Sequence, residues 1–146
     1  MFQKILYPTD FSDVSQKALD YIKHLKEAGS KQVVVLHVIH ERMTEALYWH
    51  ALGDSLIKEW KKSVKDGVNQ SLMDIEKELK ECAFEVKTII KTGIPLREIL
   101  QVEEEEDVSV IVLGSHGRTN MEEMFLGSVS EKVIRKCKKP VLVIKR

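Results

Sequence analysis

Val108-Ser109-Val110-Ile111-Val112-Leu113-Gly114-Ser115-His116-Gly117 is an apolar run of strand length that ends on two glycines. Nearly unbroken Val, Ile and Leu suit a strand buried on both faces, as in a parallel sheet between two helical layers. Runs of similar length stand at Ile5 to Tyr7, Val33 to Ile39, Phe84 to Ile90 and Val141 to Ile144, each bounded by turn or cap residues. Five strands are therefore expected.

Between these runs the apolar period becomes helical. Val14, Ala18, Ile22 and Leu25 share one face, and so do Val64, Val68, Leu72, Ile75 and Leu79. A third helix is expected from Pro95, whose missing N–H costs nothing in a first turn, carrying Ile99, Leu100 and Val102; a fourth follows Gly127. Alternating strand and helix with right-handed crossovers predicts an α/β fold. The expectation is a doubly wound, five-stranded parallel sheet of order 3-2-1-4-5 with about four helices on two faces, in one domain over 1–146. Strand two reads as central; Phe84-Glu85-Val86-Lys87-Thr88 alternates as an edge strand would. Val141 to Ile144 is a second edge candidate, wholly apolar, which suggests that a partner subunit covers it.

The chain has 146 residues, 43% of them apolar, enough for one core. Lys plus Arg equals Asp plus Glu at 23 each, so the summed field recommends neither nucleic acid nor an anionic membrane as partner. Two cysteines, Cys82 and Cys137, in no metal-ligand spacing, argue against a disulfide framework or a structural zinc and fit a reducing cytoplasm. The amino terminus reaches Pro8 too soon for a signal peptide, and no apolar run nears the ~20 residues of a bilayer span. A soluble, cytoplasmic protein is expected.

Several segments carry weaker signals. His40 to Asp54 fits neither period and reads as a long loop whose Met43, Leu47, Tyr48, Trp49 and Leu52 would serve a lid or an interface. The acidic run Glu103 to Asp107 reads as a solvated helix end. Lys132, Arg135, Lys136, Lys138 and Lys139 lie at the carboxyl end of helix four, where positive charge complements the helix dipole. His37, His40 and His116 lack a carboxylate at ligand spacing; His24 and His50 read as surface residues.

The strongest constellation is Gly114-Ser115-His116-Gly117, nine residues, then Gly127-Ser128-Val129-Ser130, between strand four and helix four. Gly114 and Gly117 permit positive φ and close approach of backbone amides to an anion. Gly127-Ser128 opens a helix, where free N–H groups and the dipole favour phosphate, and Ser128 and Ser130 add hydroxyls. Ser128-Val129-Ser130-Glu131 is equally a capping box, and glycines after a strand are often plain turns. Taken alone, the loop supports both readings.

Tyr7-Pro8-Thr9-Asp10 shifts the balance toward phosphate. It ends strand one, which neighbours strand four in the expected order, so both loops meet at the switch point where open α/β sheets bind ligands. Asp10 could accept from a ribose hydroxyl or an adenine amine, and could equally cap the next helix.

Ile5-Leu6-Tyr7-Pro8-Thr9-Asp10-Phe11-Ser12, Leu36-His37-Val38-Ile39 and the Gly114 to Ser130 loop resemble the universal stress protein family over the whole chain. Its ATP-binding branch is marked by Gly, two residues, Gly, nine residues, then Gly-Ser or Gly-Thr, matched here by Gly114, Gly117, Gly127 and Ser128. The resemblance implies that Pro8, Thr9, Asp10 and Val38 line the adenosine, with the Val38 backbone reading adenine and Leu113 flanking the ribose. It implies further that Gly114, Gly117, Gly127, Ser128, Val129 and Ser130 hold ribose and phosphates, with Mg²⁺ or Mn²⁺ on the phosphates. Arg118, just past the second glycine, could pair with a phosphate, although an exposed loop arginine is more often merely solvated. His116 has two readings, loop packing and ligand contact.

The function so expected is a stress-response or signalling module in which bound ATP biases conformation, dimerisation or partner binding. The alternative is a slow or partner-stimulated ATP hydrolase, with no residue assignable as catalytic: no G-x-x-x-x-G-K-[ST] loop and no evident general base occur. A receiver domain would need an Asp after strand three, where Lys91-Thr92-Gly93 stands, and no G-x-G-x-x-G supports a flavin or NAD module. A homodimer through antiparallel pairing of Val141, Leu142, Val143 and Ile144 is expected from the resemblance and from the bare apolar edge.

Overall fold

Each apolar run becomes a strand, and all pair in parallel. The computed structural model describes residues 1–42, 45, 53–116 and 127–146. In chain order it runs β1 (Lys4–Pro8), α1 (Asp13–Leu25), β2 (Gln32–His40), α2 (Asp54–Glu81), β3 (Glu85–Gly93), α3 (Pro95–Glu105), β4 (Val110–Gly114), α4 (Ser128–Lys136) and β5 (Val141–Ile144). The sheet order is β3-β2-β1-β4-β5, the doubly wound arrangement expected.

Side chains alternate across the sheet and so divide the core in two. Ile5, Tyr7, Val33, Val35, Val110 and Val112 face α1 and α2, packing on Ala18, Leu19, Ile22, Leu72, Ile75 and Leu79. Leu6, Val34, Leu36, Ile111 and Leu113 face the other way, onto Ile99 and Val102 of α3 and Val133 of α4. Each such fully buried aliphatic side chain contributes ~1.5–3 kcal/mol.

The helices begin and end for local reasons. Ser12, not Asp10, caps α1, its side chain accepting from Ser15 N–H at 3.3 Å. Asp10 instead closes the turn before it, accepting from Ser12 N–H at 3.0 Å. Pro95 opens α3 as expected. Helix α2 is 28 residues long and starts well before Val64, the first residue of the apolar stripe. Its first turns bury Ile57 but leave most other side chains exposed, so hydrophobic period does not reveal them. Of the segment His40 to Asp54, residues 43–44 and 46–52, and with them the lid or interface expectation and His50, lie outside the described residues.

Strand β3 is the edge expected from its alternation, though it continues to Gly93, paired with His40. The acidic run is not merely a solvated helix end. Glu103 is buried, and its Oε1 accepts from the N–H groups of Lys138 (2.8 Å) and Lys139 (2.7 Å), tying α3 to the turn before β5. Glu106 binds Lys4 of β1 at 3.2 Å and Lys87 of β3 at 2.5 Å.

Candidate functional site

The sheet order places the carboxyl ends of β1 and β4 side by side, with Leu6 beside Ile111. The chain leaves β1 toward one face and β4 toward the other, so a crevice opens between the two loops. A cavity of about 220 Å³ occupies it.

Strand β1 and the residues after it contribute Pro8, Thr9 and Asp10 to the wall; β4 and the residues after it contribute Leu113, Gly114 and His116; and Gly127, Ser128, Val129 and Ser130 lead into α4. Strand β2 adds Leu36 and Val38. Ten of the twelve candidate residues thus meet in one place; Gly117 and Arg118 lie outside the described residues.

Parallel pairing explains what Val38 offers. Leu36 carbonyl accepts from Thr9 N–H at 2.8 Å, and Pro8 opposite Leu36 is the last register pair of β1 with β2. Two residues on, the backbone N–H and C=O of Val38 point the same way. They face the crevice beyond the end of β1.

The glycines serve different ends. Gly114 has no positive φ; among the described glycines only Gly29 has one, at 97°. A Cβ on Gly114 would lie 2.8 Å from Val14 Cγ1 and 3.2 Å from Ser15 N. Its bare Cα therefore lets the start of α1 seat against β4, rather than shaping a left-handed turn. Gly127, at φ −56° and ψ 150°, is the N-cap of α4 and supplies no side-chain hydrogen bond.

That geometry replaces the capping-box reading. Ser128 stands one residue past the cap, and Glu131 pairs with Arg135 at 2.7 Å. The first bond closed from the cap is Glu131 N–H to Gly127 carbonyl, 3.0 Å. The N–H groups of Ser128, Val129 and Ser130 precede it and have no partner within the helix. The Ser130 hydroxyl, offered in the sequence as a ligand donor, donates to Gly114 carbonyl at 2.8 Å and so locks α4 to β4.

Apolar and polar surfaces divide the cavity: Leu36, Val38, Ile99, Pro95 and Leu113 make a slot, and Asp10 and the start of α4 lie at its polar side. Leu36, Pro95, Ile99 and Ser15 were not among the candidates. Leu36 is legible as the residue two before Val38 on one strand face, and Ile99 as one turn after Pro95; that α3 covers this end of the sheet is not.

The described histidines do not gather. His37 is buried, its Nδ1 donating to Thr9 carbonyl at 2.8 Å, and His116 Nδ1 lies 2.7 Å from Ser115 Oγ at the cavity wall. His24 Nδ1 is 2.8 Å from Asp20 carbonyl, and His40 Nδ1 accepts from Arg42 N–H at 3.2 Å. Among the described residues no three His, Cys, Asp or Glu side chains form a potential metal site. Beneath the cavity, Tyr7 donates to Ser15 carbonyl at 2.6 Å, and burial pushes its phenol above the ordinary value.

Comparison with known proteins agrees with this arrangement. The model of the universal stress protein family matches residues 1–145. The chain belongs to that family. It is 42% identical to universal stress protein MJ0577 of Methanocaldococcus jannaschii, covering 100% of this chain and 96% of that one. To universal stress protein YxiE of Bacillus subtilis it is 35% identical, over 99% and 100% of the two chains. The solved structure of MJ0577 superposes with a TM-score of 0.90 at 43% identity, over 100% of this chain and 97% of that one. More distant universal stress proteins share the fold. They include one from Arabidopsis thaliana with AMP bound, at 17% identity and TM-score 0.64 over 99% and 92% of the chains. Another, in complex with cAMP, has 19% identity and TM-score 0.63 over 99% and 97%.

Proposed function

We propose that this universal stress protein is an adenine-nucleotide-binding module whose ligand is ATP, held in the crevice between β1 and β4. One observation carries the reading. The start of α4, with a glycine cap that leaves its first N–H groups to an outside partner, opens onto a cavity whose other wall is an apolar slot. A phosphate at that helix start and a flat base between Val38, Ile99 and Leu113 use both halves. AMP and cAMP in the two distant members accord with that ligand class.

The residues then divide the work. The Val38 backbone reads the adenine edge, Pro8 and Leu113 flank the sugar, and Asp10 accepts from a ribose hydroxyl. The amides of Ser128, Val129 and Ser130 take the phosphates, with Gly114, Gly127 and the Ser128 hydroxyl beside them. A Mg²⁺ or Mn²⁺ ion of this complex is held by the phosphates, and Gly117 and Arg118 complete the phosphate loop.

Bound nucleotide stabilises whichever conformer or assembly binds it, by about 2.7 kcal/mol at a hundredfold excess over Kd, so the output is a change of partner rather than a product. We further propose a homodimer through β5, where Leu142 lies 37% exposed on the sheet edge. Cys82 and Cys137 are free thiols, which accords with a cytoplasmic setting. Among the described residues no helix is long and apolar enough to cross a membrane.

The test is to soak the purified protein with ATP, remove unbound ligand, denature it and identify what is released. Adenine nucleotide at near one per chain is expected; none retained overturns the reading. Hydrolysis followed in the same samples separates a binding module from an enzyme: turnover near ~1 s⁻¹, the lower end of ordinary enzymes, would make ATP a substrate.

A further inference from the structure

The loop that carries Asp10 is held in an unusual conformation. Phe11, next in the chain, has φ 63°, in the left-handed region that a bulky aromatic residue seldom adopts. Such strain persists where the surroundings impose it, and here two sets of contacts do so. The Phe11 ring stacks on the His37 ring, centroids 4.6 Å apart and planes at 21°, while His37 Nδ1 holds the Thr9 carbonyl at 2.8 Å. Phe11 N–H donates to Thr9 Oγ1 at 3.1 Å, and the same oxygen receives the Ser15 hydroxyl at 2.6 Å.

The consequence falls on Asp10. With its neighbours pinned on both sides, Oδ1 accepts from Ser12 N–H at 3.0 Å and the residue lies on the cavity wall. Phe11 packs against the core beneath α1 and α2, and His37 precedes Val38, whose side chain takes the opposite, cavity-lining face of β2. The stack therefore acts through Asp10 rather than by touching the ligand.

We propose that the Phe11–His37 stack is a positioning clamp that aims the Asp10 carboxylate at the ribose hydroxyls and so sets a preference for an intact ribose. The proposal rests on the nucleotide reading of the crevice. A site built to accept a hydroxyl rejects the analogue that lacks it, because its acceptor is left unmatched. Fixing the loop before binding makes that rejection sharp.

Equilibrium binding of ATP, 2′,3′-dideoxyATP and inorganic triphosphate to wild type, Phe11→Gly, Phe11→Tyr and Asp10→Ala tests it. Glycine accepts the positive φ without strain, so Phe11→Gly removes the ring while sparing the backbone, and a thermal melt checks its fold. Wild type and Phe11→Tyr, which keeps a ring on His37, should prefer ATP over the dideoxy analogue by roughly 10-fold or more, the scale of hydrogen bonds to a charged group. Phe11→Gly and Asp10→Ala should fall to about 3-fold or less, while Phe11→Gly binds triphosphate as wild type does. Full ribose preference in Phe11→Gly overturns the clamp and leaves the nucleotide reading standing. Equal loss of triphosphate binding in Phe11→Gly also overturns it, since the ring then serves the fold alone. A wild type that binds no ATP overturns both.

Discussion

A methyl group added at Gly114 has nowhere to go. It would meet Val14 Cγ1 at 2.8 Å, and the backbone of Val14 and Ser15 at 3.2 Å, so α1 would have to lift from β4. Gly114→Ala should therefore cost about 1–3 kcal/mol, as overpacking does, seen as a lower urea midpoint with an unchanged slope. Because Asp10 and Ser15 flank the same cavity, nucleotide affinity should fall with it. A variant as stable as wild type would show that α1 is not seated on this glycine.

Among the elements, α4 is the one whose first turn the proposed site uses, because its glycine cap leaves that turn's N–H groups without a side-chain partner. Gly127, with ψ 150°, already has the extended conformation required before proline, and Ser128 is the first helical residue, where proline is well tolerated. Ser128→Pro should keep α4 intact by circular dichroism while removing one N–H and one hydroxyl. ATP affinity should drop by roughly 10-fold or more, the scale of a charge-assisted hydrogen bond; unchanged affinity would move the phosphates off this helix. Glu106 ties β1, β3 and α3 together, and the hydrogen bond from Lys87, with Lys4 adding, holds its carboxyl below the ordinary carboxylate range. Its folded value is depressed, so its contribution is present above the unfolded value of ~4.3 and is lost as pH falls through the lowered folded value. The stability gap between wild type and Glu106→Gln should be widest near neutrality, close in acid below ~4, and shrink in high salt. A gap that does not change with pH would remove Glu106 from this role.

For the whole molecule the open question is the second edge of the sheet. Strand β3 is an edge with charged and polar residues along it, whereas β5 is four apolar residues with Leu142 37% exposed. Bare apolar edges recruit partners, and a lysine on such an edge blocks pairing. Light scattering at tens of micromolar should give a dimer for wild type and a monomer for Leu142→Lys, with little change in monomer stability. A monomeric wild type, with and without ATP, would refute the β5 interface.

The five strands, their parallel pairing and the meeting of ten of the twelve candidate residues at one cavity were legible because burial leaves a local record. Val110 to Leu113 is apolar throughout because both faces of β4 are covered, and Pro8-Thr9-Asp10 meets the start of α4 by the winding of the sheet alone. What local pattern does not record is contact between residues far apart in the chain. Glu103 lies in an acidic run of solvated appearance, yet is buried because the turn at Lys138 and Lys139 aims two N–H groups at it. The early turns of α2 left no stripe because few of their side chains are buried. Gly114 looked like a conformational glycine and is a packing one, since only the fold brings Val14 against it. The sequence by itself determined which elements form and where the crevice opens, through periodicity and topology. The tertiary structure alone decided which atoms line it, because crossover helices set contacts that no single segment encodes.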